Sequence, residues 1–269
     1  MSHLEIDTAR IFYERTGAGD PPLMLVHGFT CAHDDWRHQV ARFAHECTVV
    51  TFDLRRHGAS TGKAEQCTIE TYGHDVGELA RHLQLAPATL VGHSMGCRVV
   101  LEAYSQAPER VAGLVLIDGS WLGADANAEA ALRNHIAAIG GSAFARELFG
   151  EALLPPTAEG RAIMDRAARF PSDVALHLFP QMAGWETRRM KPVLSSVRVP
   201  LLAIQSTNLD PQRRRVYLQP GQSTPWLDLV REQVSQARIE LVPNAGHFTM
   251  IDAEARCNQL LADFISRLK

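Results

Sequence analysis

Several short stretches of the chain are apolar at consecutive positions. They are Pro22 to Gly28 (PLMLVHG), Cys47 to Asp53 (CTVVTFD), Val111 to Asp118 (VAGLVLID) and Val199 to Ser206 (VPLLAIQS). A strand with one wet face alternates apolar and polar residues, whereas a strand covered on both faces does not. These runs therefore predict buried strands of a parallel sheet. Between them the period becomes helical. DWRHQVARFAHE, TIETYGHDVGELARHLQL and DAEARCNQLLADFISRL set apolar residues three and four apart. Thr68 or Thr71 offers a hydroxyl to cap the second of these helices. HLEIDTARIFYERTG predicts a hairpin of two short strands, TPWLDLVREQV a helix, and ARIELVP the last strand.

From Trp121 to about Lys191 strand signals vanish. Helical segments remain, with breaks expected at Gly140-Gly141, Pro155-Pro156, Pro171 and Pro180. This reads as a helical cap, residues 121–191, inserted into a core made of residues 1–120 and 192–269. The polar stretch after Ser206 is expected to be a loop running through Gly221.

Strands alternating with helices imply a mainly parallel sheet covered on both faces. Active sites in such sheets lie beyond the carboxyl ends of the strands. Gly28, Asp53, Ser94, Asp118, Ser206 and His247 all fall there.

Length and composition narrow the choice of chemistry. A chain of 269 residues suits one large domain with an insertion. A net charge of -3 leaves no basic footprint, so nucleic acid is an unfavoured partner. Apolar runs such as GLVLI are too short to span a bilayer, so no membrane is expected. MSHLEIDTAR lacks the pattern of a signal peptide. The 5 cysteines show no C-x-x-C pairing, which fits reduced thiols and a cytoplasmic location. A small-molecule substrate and a monomer or homodimer are expected.

Leu90 to Val100, LVGHSMGCRVV, carries the chemistry. Gly92 and Gly96 flank Ser94 in G-x-S-x-G, between a β-prone run and a helical one. This is the pattern of a nucleophile elbow. A sharp strand-to-helix turn lifts the serine hydroxyl clear of the sheet, and side chains at either glycine would collide with the neighbouring strand and helix.

With LVHGF, DLRRHGAS, GHSMG, the cap region and PNAGHF in place, the chain resembles the α/β-hydrolase superfamily along nearly its whole length. The resemblance implies a mainly parallel eight-stranded sheet flanked by helices, and the chain order nucleophile, acid, histidine. Two positions depart from the family pattern. Arg56 stands where relatives usually have glycine in D-x-x-G-H-G-x-S, and Cys97-Arg98 stands where small residues are common. Serine rather than aspartate at position 94 sets the chain apart from the epoxide hydrolases and haloalkane dehalogenases of this fold.

The resemblance implies roles residue by residue. Ser94 is the nucleophile. His247, the histidine that follows the last strand, is its base. The oxyanion hole takes backbone N–H groups from Met95 and from Phe29, with Gly28 the near alternative to Phe29. The acid has two candidates. Most relatives carry it after the seventh strand, where this chain reads Gln205-Ser206-Thr207-Asn208-Leu209-Asp210; Asp210 is one residue late for that position. Asp118, after the sixth strand, is where zearalenone-type lactonases and cofactor-free quinolone dioxygenases place theirs. Asp118 is preferred and Asp210 remains the alternative. His27 has no second ligand at metal spacing, so neither a metal nor any other cofactor is expected. Trp36, Trp121 and Trp185 are candidate pocket walls. The cap's apolar residues, among them Ile136, Phe144, Leu153, Phe170, Phe179 and Met182, suggest an uncharged substrate.

The expectation is a serine hydrolase acting on a carboxylic ester or lactone of a small, largely apolar molecule. The alternative is a cofactor-independent dioxygenase of a hydroxylated heteroaromatic ring, with His247 and Asp118 as the base pair.

Overall fold

A computed structural model describes residues 2–121, 127–149, 157–210 and 214–268. The chain starts with the expected hairpin, β1 (Ser2–Ile6) and β2 (Ala9–Thr16), paired antiparallel. Buried β3 (Leu23–Val26) leads to α1 (Arg37–Phe43), then buried β4 (Val49–Phe52) to α2 (Ile69–His82). Thr68 is the N-cap of α2 and accepts the Thr71 backbone N–H, so of the two threonines the earlier one caps. Next come β5 (Ala88–His93), α3 (Met95–Gln106) and β6 (Val111–Ile117).

Between β6 and β7 the described residues form only helices: α4 (Ala128–Ile139), α5 (Gly141–Phe149), α6 (Ala158–Ala168) and α7 (Ser172–Ser196). Gly140, at φ +84, turns α4 into α5, and Pro171 is the N-cap of α7. Pro155-Pro156 and Leu153 lie outside the described residues. Pro180 does not break a helix. It lies inside α7, as does Pro192, and the helix runs past Lys191 to Ser196. A helix-interior proline forfeits a hydrogen bond, but α7 is buried along most of its length by Leu178, Phe179, Met182, Trp185, Met190 and Leu194. Packing of that face outweighs the local loss.

The core resumes with β7 (Leu201–Gln205). The expected polar loop then folds in part into a hairpin, β8 (Thr207–Leu209) and β9 (Arg215–Tyr217), with Leu209 opposite Arg215. The chain ends with α8 (Pro225–Gln233), β10 (Arg238–Leu241), α9 (Thr249–Asp252) and α10 (Glu254–Ile265).

Eight strands make one sheet in the order β1-β2-β4-β3-β5-β6-β7-β10. From β4 to β10 every pairing is parallel. The consecutive apolar runs are the strands buried on both faces, as their pattern requires. The parallel register places the carboxyl ends of β3, β5, β6, β7 and β10 side by side, and Phe29, Ser94, Asp118 and His247 follow the ends of β3, β5, β6 and β10.

Candidate active site

At the end of β5 the chain turns sharply. Ser94 has φ 54 and ψ -115, a strained conformation for a residue with a side chain, and α3 begins at once. The flanking glycines make the turn possible. A Cβ on Gly92 would lie 2.3 Å from the Gly96 carbonyl oxygen, and one on Gly96 2.3 Å from the Val26 carbonyl oxygen. Ser94 keeps partial exposure while its neighbours are buried.

Ser94, His247 and Asp118 form one hydrogen-bonded chain. Ser94 Oγ lies 2.9 Å from His247 Nε2, and His247 Nδ1 lies 2.7 Å from Asp118 Oδ2. A carboxylate only accepts, so Nδ1 carries the proton and Nε2 offers its lone pair to the serine. Asp210 is elsewhere. Its carboxylate accepts the Arg214 backbone N–H at 2.8 Å and Nε–H at 2.9 Å, and so ties the β8–β9 turn.

Asp118 is completely buried, at φ 46, and surrounded by donors. Oδ1 accepts the Ser206 N–H at 2.9 Å and the Thr207 N–H at 2.8 Å. Oδ2 accepts the Thr207 hydroxyl at 2.5 Å and an Arg215 N–H at 3.3 Å, besides His247. Burial alone would raise this carboxyl, but His247, Arg215 and Thr207 overcome it and hold the group at about 2. Burial, reinforced by Arg215, lowers the His247 imidazole to about 4 against the pull of Asp118. At neutral pH the site therefore holds a carboxylate and an uncharged imidazole.

Met95 and Phe29 are both buried beside Ser94. A Cβ on Gly28 would lie 3.1 Å from the Ser94 Cβ, so the loop after β3 runs against the serine. Among the described residues neither the Met95 nor the Phe29 backbone N–H has an acceptor. The Phe29 ring packs against Phe170 at 4.9 Å, Phe179 at 5.3 Å and Phe144 at 6.4 Å, so residues between β6 and β7 enclose this loop with aromatic surface.

The expected pocket tryptophans divide. Trp36 and Trp185 have 0% exposure and so touch no space as large as a water molecule. Both indoles are enclosed in the hydrophobic core. Trp185 also donates its indole N–H to Glu102 at 2.9 Å. Trp121 is half-buried, with Lys191 Nζ 5.5 Å above its ring. His27 is committed twice: Nδ1 donates to the Gly28 carbonyl at 2.8 Å and Nε2 accepts the Leu54 N–H at 3.0 Å. It shapes the loop after β3.

Several contributors escape a reading of the sequence alone. Ser206 and Thr207 cradle Asp118 from the end of the adjacent strand, and Arg215 reaches it from β9. Gln205 secures the turn after Asp118 by donating to the Gly119 and Thr207 carbonyls, both at 2.8 Å. His93 donates Nε2–H to the His247 carbonyl at 2.9 Å. The Gln-Ser-Thr run where relatives have glycine was the available signal, because β7 neighbours β6 and its end must face Asp118.

Arg98, one of the departures from the family pattern, lies beneath the elbow. It donates to the Ser94 carbonyl at 3.3 Å and the Ser120 carbonyl at 2.8 Å, and forms a buried ion pair with Glu186 of α7. Arg56, the other departure, has φ 64, the left-handed conformation that explains the usual glycine, and pairs with Asp173 at the start of α7.

Among the described residues no helix is long and apolar enough to cross a membrane. The chain is 27% identical over 266 residues, 95% of its length, to the dihydrolipoyllysine-residue acetyltransferase component of the acetoin cleaving system of Pseudomonas putida. It spans 66% of that relative's length. A thermophilic esterase from Thermogutta terrifontis superposes with a TM-score of 0.81 at 21% identity, covering 100% of this chain and 99% of that one. An N-acyl homoserine lactone degrading enzyme superposes with a TM-score of 0.79 at 24% identity, covering 98% and 100%. The alpha/beta hydrolase family model matches residues 23–260, and the chain belongs to that family.

Proposed function

We propose that the protein is a serine hydrolase that cleaves a carboxylic ester or lactone through an acyl-enzyme on Ser94. The observation that carries this reading is the continuous chain Ser94 Oγ, His247, Asp118, beside two backbone N–H groups without acceptors. In the proposed reaction His247 Nε2 takes the Ser94 proton as Oγ attacks the carbonyl carbon. Asp118 holds the imidazole in the required tautomer and stabilises the imidazolium. The Met95 and Phe29 N–H groups receive the charge that develops on the carbonyl oxygen. The imidazolium then protonates the leaving alkoxide, and water, activated by the same nitrogen, releases the acid.

The phenylalanines around Phe29 favour an uncharged, apolar acyl or alcohol part. The solved structures of the same fold include an esterase and an enzyme that degrades an acyl lactone, which supports this substrate class. A serine held within hydrogen-bond reach of the base favours acyl transfer over base-only dioxygenation. The test is a panel of p-nitrophenyl esters and lactones with wild type and Ser94→Ala. Loss of at least about a thousandfold in kcat, with fluorophosphonate labelling of wild type alone, is expected. A Ser94→Ala variant that keeps most of its turnover rejects the reading.

A further inference from the structure

The β8–β9 hairpin brings one cation into the buried site. Arg215, opposite Leu209 in the hairpin, has a side chain 6% exposed. Its Nη1 lies 3.3 Å from Asp118 Oδ2, the same oxygen that His247 Nδ1 approaches at 2.7 Å. Nη1 also donates to Thr207 Oγ1 at 3.0 Å, and the Thr207 hydroxyl in turn donates to Oδ2. Nε is buried without a partner. Burying a guanidinium is costly, and this one is incompletely satisfied. Support of the fold alone is a poor reason for it, because Asp118 already holds two backbone N–H groups and a hydroxyl.

We propose that Arg215 is a positioning residue which shares Asp118 with His247 and keeps the imidazole unprotonated in mildly acid solution. Two effects act in the same direction. The guanidinium draws on the oxygen that would otherwise stabilise imidazolium most strongly, and it repels a second positive charge in a low-dielectric site.

The other charged or titratable groups around His247 do not replace it. Arg98, from α3, is neutralised by Glu186. His93, at the end of β5, packs 4.6 Å from the His247 ring and is held neutral by burial. Asp252, from α9, accepts the Gly246 N–H at 2.7 Å. Asp118 pulls toward protonation; after burial, Arg215 acts most strongly against it, and Arg98 adds a smaller effect of the same sign. Ser94, at the start of α3, supplies only a hydroxyl at neutral pH.

The inference rests on His247 being the base of Ser94, but it is tested without turnover. The His247 imidazole is titrated by nitrogen-15 NMR in wild type, Arg215→Met, Arg215→Gln and Arg215→Lys. The neutral variants are expected to raise its protonation midpoint by at least about one pH unit, and Arg215→Lys to stay within about half a unit of wild type. The acid limb of kcat/KM should move with the midpoint. A purely structural role lowers stability without that shift. Midpoints unchanged in the neutral variants overturn the inference, as does a wild-type imidazole that protonates at or above 6.5. An inactive enzyme with the expected titration instead rejects the hydrolase reading and leaves this inference standing.

Discussion

Arg98 of α3 and Glu186 of α7 form an ion pair in which both side chains are almost completely buried. The same guanidinium holds the Ser94 and Ser120 carbonyls, so one residue joins the elbow, the turn after Asp118 and the insertion between β6 and β7. Removing Glu186 takes the paired carboxylate away from a buried guanidinium. Glu186→Ala should cost about 3–5 kcal/mol in urea unfolding, whereas Arg98→Met combined with Glu186→Met should recover much of that loss. A single variant as stable as wild type contradicts a buried pair.

Asp118 and Asp210 are separated by their partners. Asp118→Asn removes charge from a carboxylate bonded to His247, and it should lower kcat/KM at least about a hundredfold. Asp210→Asn disturbs a bond to Arg214 away from His247 and should cost less than about tenfold. Both proteins are checked by thermal melting before kinetics. The opposite ranking would move the acid to Asp210, after β8.

Acid should destabilise the fold well before most carboxylates titrate. Burial lowers His27 and His93, and brings His57 to about 3 and His247 to about 4, so the folded state resists protons that the unfolded chain takes up near pH 6.5. The contribution of these four histidines is complete above about pH 6.5 and falls as pH drops. Each such imidazole contributes up to about 1.4 kcal/mol per pH unit. Asp118, lowered to about 2, adds a loss of the same sign below about pH 4. His33, raised by its bond to Asp53, opposes the trend: its contribution is present below pH 6.5 and lost above it. Urea midpoints at pH 7, 6 and 5 should decline steadily, and a flat series would show that the buried imidazoles are not the sensitive groups.

Arg56 sets two small terms against each other. Its left-handed backbone costs roughly 1 kcal/mol that glycine would avoid. Its pair with Asp173, whose side chain is 59% exposed, contributes only about 0–1 kcal/mol. Arg56→Gly should therefore change the unfolding free energy by less than about 1 kcal/mol. A loss above about 2 kcal/mol would mean that anchoring the start of α7 is worth much more than an exposed pair.

The sequence alone determined the buried strands, the elbow and the position of His247. Each rests on local rules: unbroken apolar runs, two glycines beside Ser94, and a histidine after the last strand. Such rules act through neighbouring residues, so they are legible in one dimension. The tertiary structure decided the rest. The choice of Asp118 over Asp210, at two strand ends, depends on which carboxylate the His247 ring reaches, and spacing along the chain does not carry that distance. Pro180 looked like a helix break until long-range burial outweighed its missing bond. Trp36 and Trp185 are indoles that suit a pocket wall and a closed core equally well in sequence, and only the fold shows that both are fully buried. Arg215 was one arginine in a polar run. It became part of the site because β8 and β9 pair and carry it to Asp118, from 97 residues away in sequence.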